Sequence, residues 1–161
     1  MIRRFCVAPM MDRTDRHERF FLRKVTKKAY LYTEMINAQA ILNGKNHKVL
    51  VHDPSEHPIG IQLGGNDPKK LCEAALIAEE YKYDEINLNV GCPSSKVQNG
   101  QFGAVLMKNP SLVSKCVAEI KKKVKVPVTI KCRIGVDNMD EYIDLSNFIE
   151  QVSQSGCNVF I

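Results

Sequence analysis

Strand-like and helix-like segments take turns along this chain, and that alternation limits its fold more than any other feature. Short runs suited to strands occupy 5–10, 30–35, 58–65, 85–90 and 127–135, and a sixth opens at 158–161. Each gap holds one crossover helix, the connection that parallel neighbours need. Thr14-Asp15 offer a cap before a helix carrying Phe20, Phe21 and Val25, and a helical patch at 38–42 stops at Asn43-Gly44. Asp67-Pro68 open a helix over 69–81, and Asn109-Pro110 open one whose Val113, Cys116, Val117, Ile120 and Val124 keep helical spacing. A last helix, about 140 to 153, sets Leu145, Phe148, Ile149 and Val152 on one side. The class is therefore α/β with a parallel sheet.

Two architectures fit that class. A doubly wound sheet buries both faces of its central strands and favours continuous apolar runs, whereas these strands alternate. Ile59, Ile61, Leu63, Ile86, Leu88, Val90, Val128 and Ile130 fall on one side, and Gln62, Asn87, Asn89, Thr129, Lys131 and Arg133 on the other. In a barrel the first set meets the helix layer and the second faces the interior, near the C-terminal mouth where such barrels place their active sites. The pattern favours a (β/α)8 TIM barrel. A complete one takes about 250 residues, so the expectation for 1–161 is the N-terminal portion of a barrel, five to six strands long, with the closing strands absent.

The stretch Glu85-Ile86-Asn87-Leu88-Asn89-Val90-Gly91-Cys92-Pro93-Ser94 carries the clearest chemistry. An amide buried without partners costs a few kcal/mol, so two on one strand face imply something polar to be bound there. Cys92 then sits at the mouth. Its bland alternative is a cysteine packed in a turn.

Composition mainly excludes. With 161 residues, 44% of them hydrophobic, the chain can bury a proper core. A net charge of +5 suits an anionic partner such as RNA without requiring one. Six cysteines include no Cys-x-x-Cys pair, and His47, His52 and His57 lack ligand spacing, so neither a metal site nor a disulfide framework is expected. Reduced thiols suit a cytoplasmic protein. No apolar run approaches the roughly 18 residues of a spanning helix, and Met1-Ile2-Arg3-Arg4 leads into a strand without a signal-peptide core, so no membrane is expected.

Read together, the motifs resemble the tRNA-dihydrouridine synthases, flavoproteins with an FMN-binding barrel and a C-terminal helical domain, and most of all their A type. The matching pieces are Ala8-Pro9-Met10-Met11-Asp12-Arg13-Thr14-Asp15-Arg16-His17, Leu31-Tyr32-Thr33-Glu34-Met35, Gln62-Leu63-Gly64-Gly65 and the stretch from Asp84 to Ser94. Val97-Gln98-Asn99-Gly100, Phe102-Gly103-Ala104, Val126-Pro127-Val128-Thr129-Ile130-Lys131 and Arg133-Ile134-Gly135 complete the set, in the same order through essentially the whole chain. The resemblance implies FMN- and NADPH-dependent reduction of the C5–C6 double bond of uridine in the tRNA D-loop, at positions 20 and 20a. It implies that Pro9, Met10 and Met11 line the flavin, that Gln62 and Lys131 bind it, that Asn89 touches tRNA and that Cys92 is the proton donor. Hydride would pass from the flavin to C6, with protonation following at C5. The helical domain and the later flavin-phosphate loops of the family lie outside this sequence, and a monomer is expected.

Chemistry speaks to these roles separately. A reduced flavin carries negative charge near N1 and O2 that a lysine inside a barrel can hold; a salt-bridged or snorkelling lysine is the alternative for Lys131. Gln62 donates and accepts at once, as an isoalloxazine edge requires, or it is a satisfied amide between layers. A thiol titrating at about 8.5 is mostly protonated at neutral pH yet releases its proton readily, which suits an acid. A base must leave the RNA stack to reach such a pocket, and a mobile loop over 94–107 could close on it; an ordinary connecting loop is the alternative. Arg13, Arg16 and His17 could approach RNA or flavin, and Lys121-Lys122-Lys123 reads as a solvated face. Two rival functions stay open: a catalytically silent folding unit or weak RNA-binding module, and another FMN barrel such as a dihydroorotate dehydrogenase.

Overall fold

The computed structural model describes residues 4–44 and 48–161; His47 and Met1-Ile2-Arg3 therefore lie outside the described residues. Five parallel strands pair in the order of the chain: β1 Cys6–Val7, β2 Tyr30–Asn37, β3 Ile59–Gly64, β4 Glu85–Val90 and β5 Val128–Cys132. A doubly wound sheet reverses its strand order at a switch point, whereas a (β/α)8 barrel adds each strand beside the last. The sequential order makes this a curled half-barrel, part of a (β/α)8 barrel. Residues 158–161 extend it: Ile130 and Phe160 form a parallel bridge, and the Ile161 N–H donates to the Ile130 carbonyl at 2.9 Å.

The helices are α1 Arg16–Val25, α2 Ala38–Asn43, α3 Pro68–Glu80, α4 Ser95–Asn99, α5 Pro110–Lys121 and α6 Ile143–Ser153. Asp67 and Asn109 cap α3 and α5 as the sequence suggests, each accepting backbone N–H groups that the first turn leaves unpaired. Ile59, Ile61, Leu63, Ile86 and Ile130 are fully buried against the helix layer. Each such side chain contributes roughly 1.5–3 kcal/mol by leaving water. Ala74, Ala75 and Ala78 on the inner side of α3 are equally buried, and their small size lets that helix lie close to the sheet. No helix among the described residues is long and apolar enough to cross a membrane.

One helix packs by a face the sequence does not mark, and two expectations are corrected. The stripe of Phe20, Phe21 and Val25 on α1 is not buried; these residues are 40%, 60% and 71% exposed, while Arg19 and Arg23 face inward. The inner side of α1 looks onto backbone carbonyls of the connecting segments at 14, 26 and 56–58 and onto the Glu56 carboxylate, and these acceptors need donors. Arg19 pairs with the buried carboxylate of Glu56 at 2.6 Å and donates to the Thr14 carbonyl, and Arg23 donates to the carbonyls of Thr26, Glu56 and Pro58. β5 ends at Cys132, so Arg133 is exposed and folds back to donate its Nε–H to the Gly91 carbonyl at 2.6 Å. It does not continue the interior row.

The segment 94–107 is no plain loop. It forms α4 and a 3-10 turn, Gly103–Lys108, that bury Val97, Phe102, Leu106 and Met107. Gly103 takes φ +71°, and a Cβ there would collide with the Cys92 carbonyl, so only glycine lets the turn come this close. The Ala104 N–H then donates to that same carbonyl at 2.9 Å.

Candidate active site

Parallel register sets the interior residues side by side: Gln62 of β3 faces Asn87 of β4, which faces Thr129 of β5, and one step along Asn89 faces Lys131. The period-two alternation puts all five on the interior side. Their polar groups close on one another. Asn87 Nδ2 donates to Thr129 Oγ1 and Gln62 Nε2 donates to Asn87 Oδ1, both at 2.8 Å. Asn89 Nδ2 donates to Gln62 Oε1 at 2.8 Å, and Thr129 Oγ1 donates to Glu85 Oε1 at 2.5 Å. Tyr32 adds a second donor to that carboxylate oxygen at 2.9 Å. A local irregularity in the β2–β3 pairing lets Thr33 Oγ1 accept the Gln62 backbone N–H at 3.0 Å.

This ladder answers the question raised by two amides on one strand face. Asn87 is fully buried and needs no ligand, since its oxygen and nitrogen are both bonded to neighbouring strands. Among the described residues no buried side-chain nitrogen or oxygen is left without a partner. Glu85, fully buried at the ladder's lower end, was legible only as the next residue in the alternation; nothing in the sequence marks it as an anchor.

Cys92 is fixed from several sides. Asn89 Oδ1 accepts its backbone N–H at 2.5 Å and that of Gly91 at 3.2 Å. Its carbonyl takes the Ala104 N–H, and its half-buried Sγ lies 3.5 Å from Ser94 Oγ. The thiol opens onto a cleft of about 570 Å3 between the end of β2, α1 and α4, and Met11 shares that cleft. Among the other thiols, burial pushes Cys116 up to about 12 and raises Cys72, Cys132 and Cys157 as well.

Of the candidate residues, Gln62, Asn89 and Cys92 are thus joined directly, and Lys131 stands beside Asn89 on the next strand. Pro9 and Met10 lie in the turn after β1, where Met10 bonds Thr14 through its backbone N–H, and they are not among the residues lining the cleft. Met10 and Met11 are 45% and 55% exposed. The side chain of half-buried Lys131 has no ion pair or hydrogen bond among the described residues. Gln62, Asn89 and Lys131 do not line the cleft that Cys92 and Met11 share; a half-buried lysine beside amides at the C-terminal ends of β3 to β5, with exposed thioethers after β1, is a set of side-chain types that suits a flat aromatic ring with an anionic edge. At the opposite end of the strands His52 meets the His57 ring edge-on and the Tyr83 ring at a tilt, and no group of three or more His, Cys, Asp or Glu placed to hold a metal ion occurs among the described residues.

A family model described as Dihydrouridine synthase (Dus) matches residues 6–161. The tRNA-dihydrouridine(20/20a) synthase of Synechocystis sp. is 56% identical over 154 residues, covering 96% of this chain and 46% of its own length. Those of Pseudomonas putida and Salmonella typhimurium are 53% and 52% identical, each covering 98% of this chain and 47% and 48% of their own lengths. The chain spans about half the length of the curated relatives it matches.

Proposed function

Because the chain belongs to the dihydrouridine synthase family, we propose that it serves the reduction of the C5–C6 double bond of uridine in tRNA, at D-loop positions 20 and 20a, in the cytoplasm. FMN is the carrier in this reading and NADPH the reductant. When bound, the flavin supplies a hydride to C6 of the uracil. Lys131 would hold its anionic edge, Gln62 would offer its remaining amide N–H, and Pro9, Met10 and Met11 would supply apolar surface.

The residues of this chain account for the proton. As hydride adds at C6, the π electrons need a proton at C5, which the Cys92 thiol would deliver. The thiolate left behind is reprotonated from solvent, which reaches it through the cleft. Asn89 contributes by fixing the backbone of Cys92, so the sulfur is aimed before substrate arrives.

The observation that carries this reading is the unbroken run of hydrogen bonds from Gln62 through Asn89 to Cys92, with Lys131 opposite Asn89. Mass spectrometry of tRNA from cells carrying Cys92→Ala tests it. Dihydrouridine at the cognate position is expected to fall to background, and an unchanged level removes Cys92 from the chemistry.

A further inference from the structure

Building on the proposal of an RNA substrate, we infer that the cleft beside Cys92 seats the strand next to the reacting uridine, with its phosphates on Arg16 and Lys96. Cys92 and Ser94 form one wall of this cleft, Arg16 and His17 stand at the start of α1, and Lys96 rises from α4. Its volume of about 570 Å3 lies within the roughly 300–1,000 Å3 of ligand clefts and gives room for a nucleotide.

The charges around it are unequally committed. Asp15 accepts the backbone N–H groups of His17 and Glu18, and Glu34 accepts that of Asp12 at 2.6 Å. Arg19 is taken up by Glu56. Arg16, Lys48 and Lys96 have no ion pair among the described residues, and the one polar contact of Arg16 runs to the neighbouring His17 ring at 3.4 Å. A rim whose acids are occupied by backbone donors and whose bases are open attracts an added anion. Apolar Met35, Val97 and Phe102 below it suit the faces of a ribose and a base. A base drawn from its stack to Cys92 brings the phosphates on either side past this rim.

The test is binding of tRNA transcript to the intact protein between about 50 and 200 mM salt. Arg16→Gln with Lys96→Gln is expected to weaken binding about ten-fold and to make the slope of log affinity against log salt shallower by about 0.7 per side chain. Lys122→Glu, at the exposed residue that follows α5 and pairs with Glu119, is expected to change neither. Lys96→Gln alone, on an exposed turn of α4, carries the test if a melting curve shows that Arg16→Gln loosens α1. Wild-type affinity and slope in the variants overturn the inference, as does a raised Michaelis constant for NADPH with tRNA binding intact, which would make the cleft a dinucleotide seat. Wild-type protein that yields no dihydrouridine in tRNA sinks the function proposed above, a result separable from either of these.

Discussion

Asn89 holds Cys92 by its backbone, accepting the cysteine N–H at 2.5 Å while donating its own amide to Gln62 at 2.8 Å. One side chain therefore ties the thiol-bearing turn to the interior of the half-barrel. The two bonds use opposite ends of the amide, so the orientation of Asn89 is determined by both neighbours at once.

Removing that side chain should loosen the turn. Asn89→Ala leaves the fully buried Gln62 Oε1 without a donor, a cost of about 1–3 kcal/mol, which lowers the melting temperature by about 2–4 °C per kcal/mol. Alkylation of Cys92 by iodoacetamide should quicken several-fold. Cys116, buried and pushed up to about 12, is the internal reference and should stay unlabelled in the folded protein. Native melting with unchanged labelling of Cys92 would show that Asn89 does not hold the turn.

The ladder below Asn89 makes a second prediction. Each donor points the same way, from Cys92 through Asn89, Gln62, Asn87 and Thr129 to the Glu85 carboxylate. Thr129→Val keeps the shape but removes the hydroxyl that both accepts from Asn87 and donates to Glu85. It should cost about 1–3 kcal/mol in urea denaturation. Thr129→Ser keeps the hydroxyl and should cost less than about 1 kcal/mol, the loss of a single methyl group. Equal costs for the two would mean that the hydroxyl carries no part of the ladder.

The parts of this fold that were legible in sequence are those fixed by near neighbours. Asp67-Pro68 and Asn109-Pro110 cap helices a few residues away, and alternation along one strand is enough to put Asn87 and Thr129 on one side. What escaped depends on distant pairings. The inverted face of α1 exists because Arg19 meets Glu56, 37 residues on, and because Arg23 meets carbonyls of the same turn. Neither arginine advertises that partner. The amide ladder likewise needs the register of three strands, without which Asn87 reads as a ligand group rather than an internally bonded one. In the segment after Cys92, glycines suggested an open loop, and the burial of Val97, Phe102 and Met107 emerges only once the strand ends below them are assembled.

Asp15 caps the start of α1, where Arg16 lines the cleft, and its effect should depend on pH. The backbone N–H of Glu18 is the main reason its carboxyl is held below the ordinary value of 3.8, with desolvation opposing and the N–H of His17 and the charges of His17 and Arg19 assisting. A carboxylate with a depressed native value contributes stability that is complete above 3.8 and is lost as pH falls through that lower value. Asp15→Ala should cost about 1 kcal/mol at neutral pH, whereas Asp15→Asn, itself a good cap, should cost only a few tenths. Asp15 is half-buried and still reached by solvent, so the pH-dependent part is small and its sign is the informative quantity. In urea titrations from about pH 6 down to about pH 3, the advantage of wild type over Asp15→Asn should shrink toward acid. An advantage that grows as pH falls would show that the carboxylate is not what anchors the start of α1.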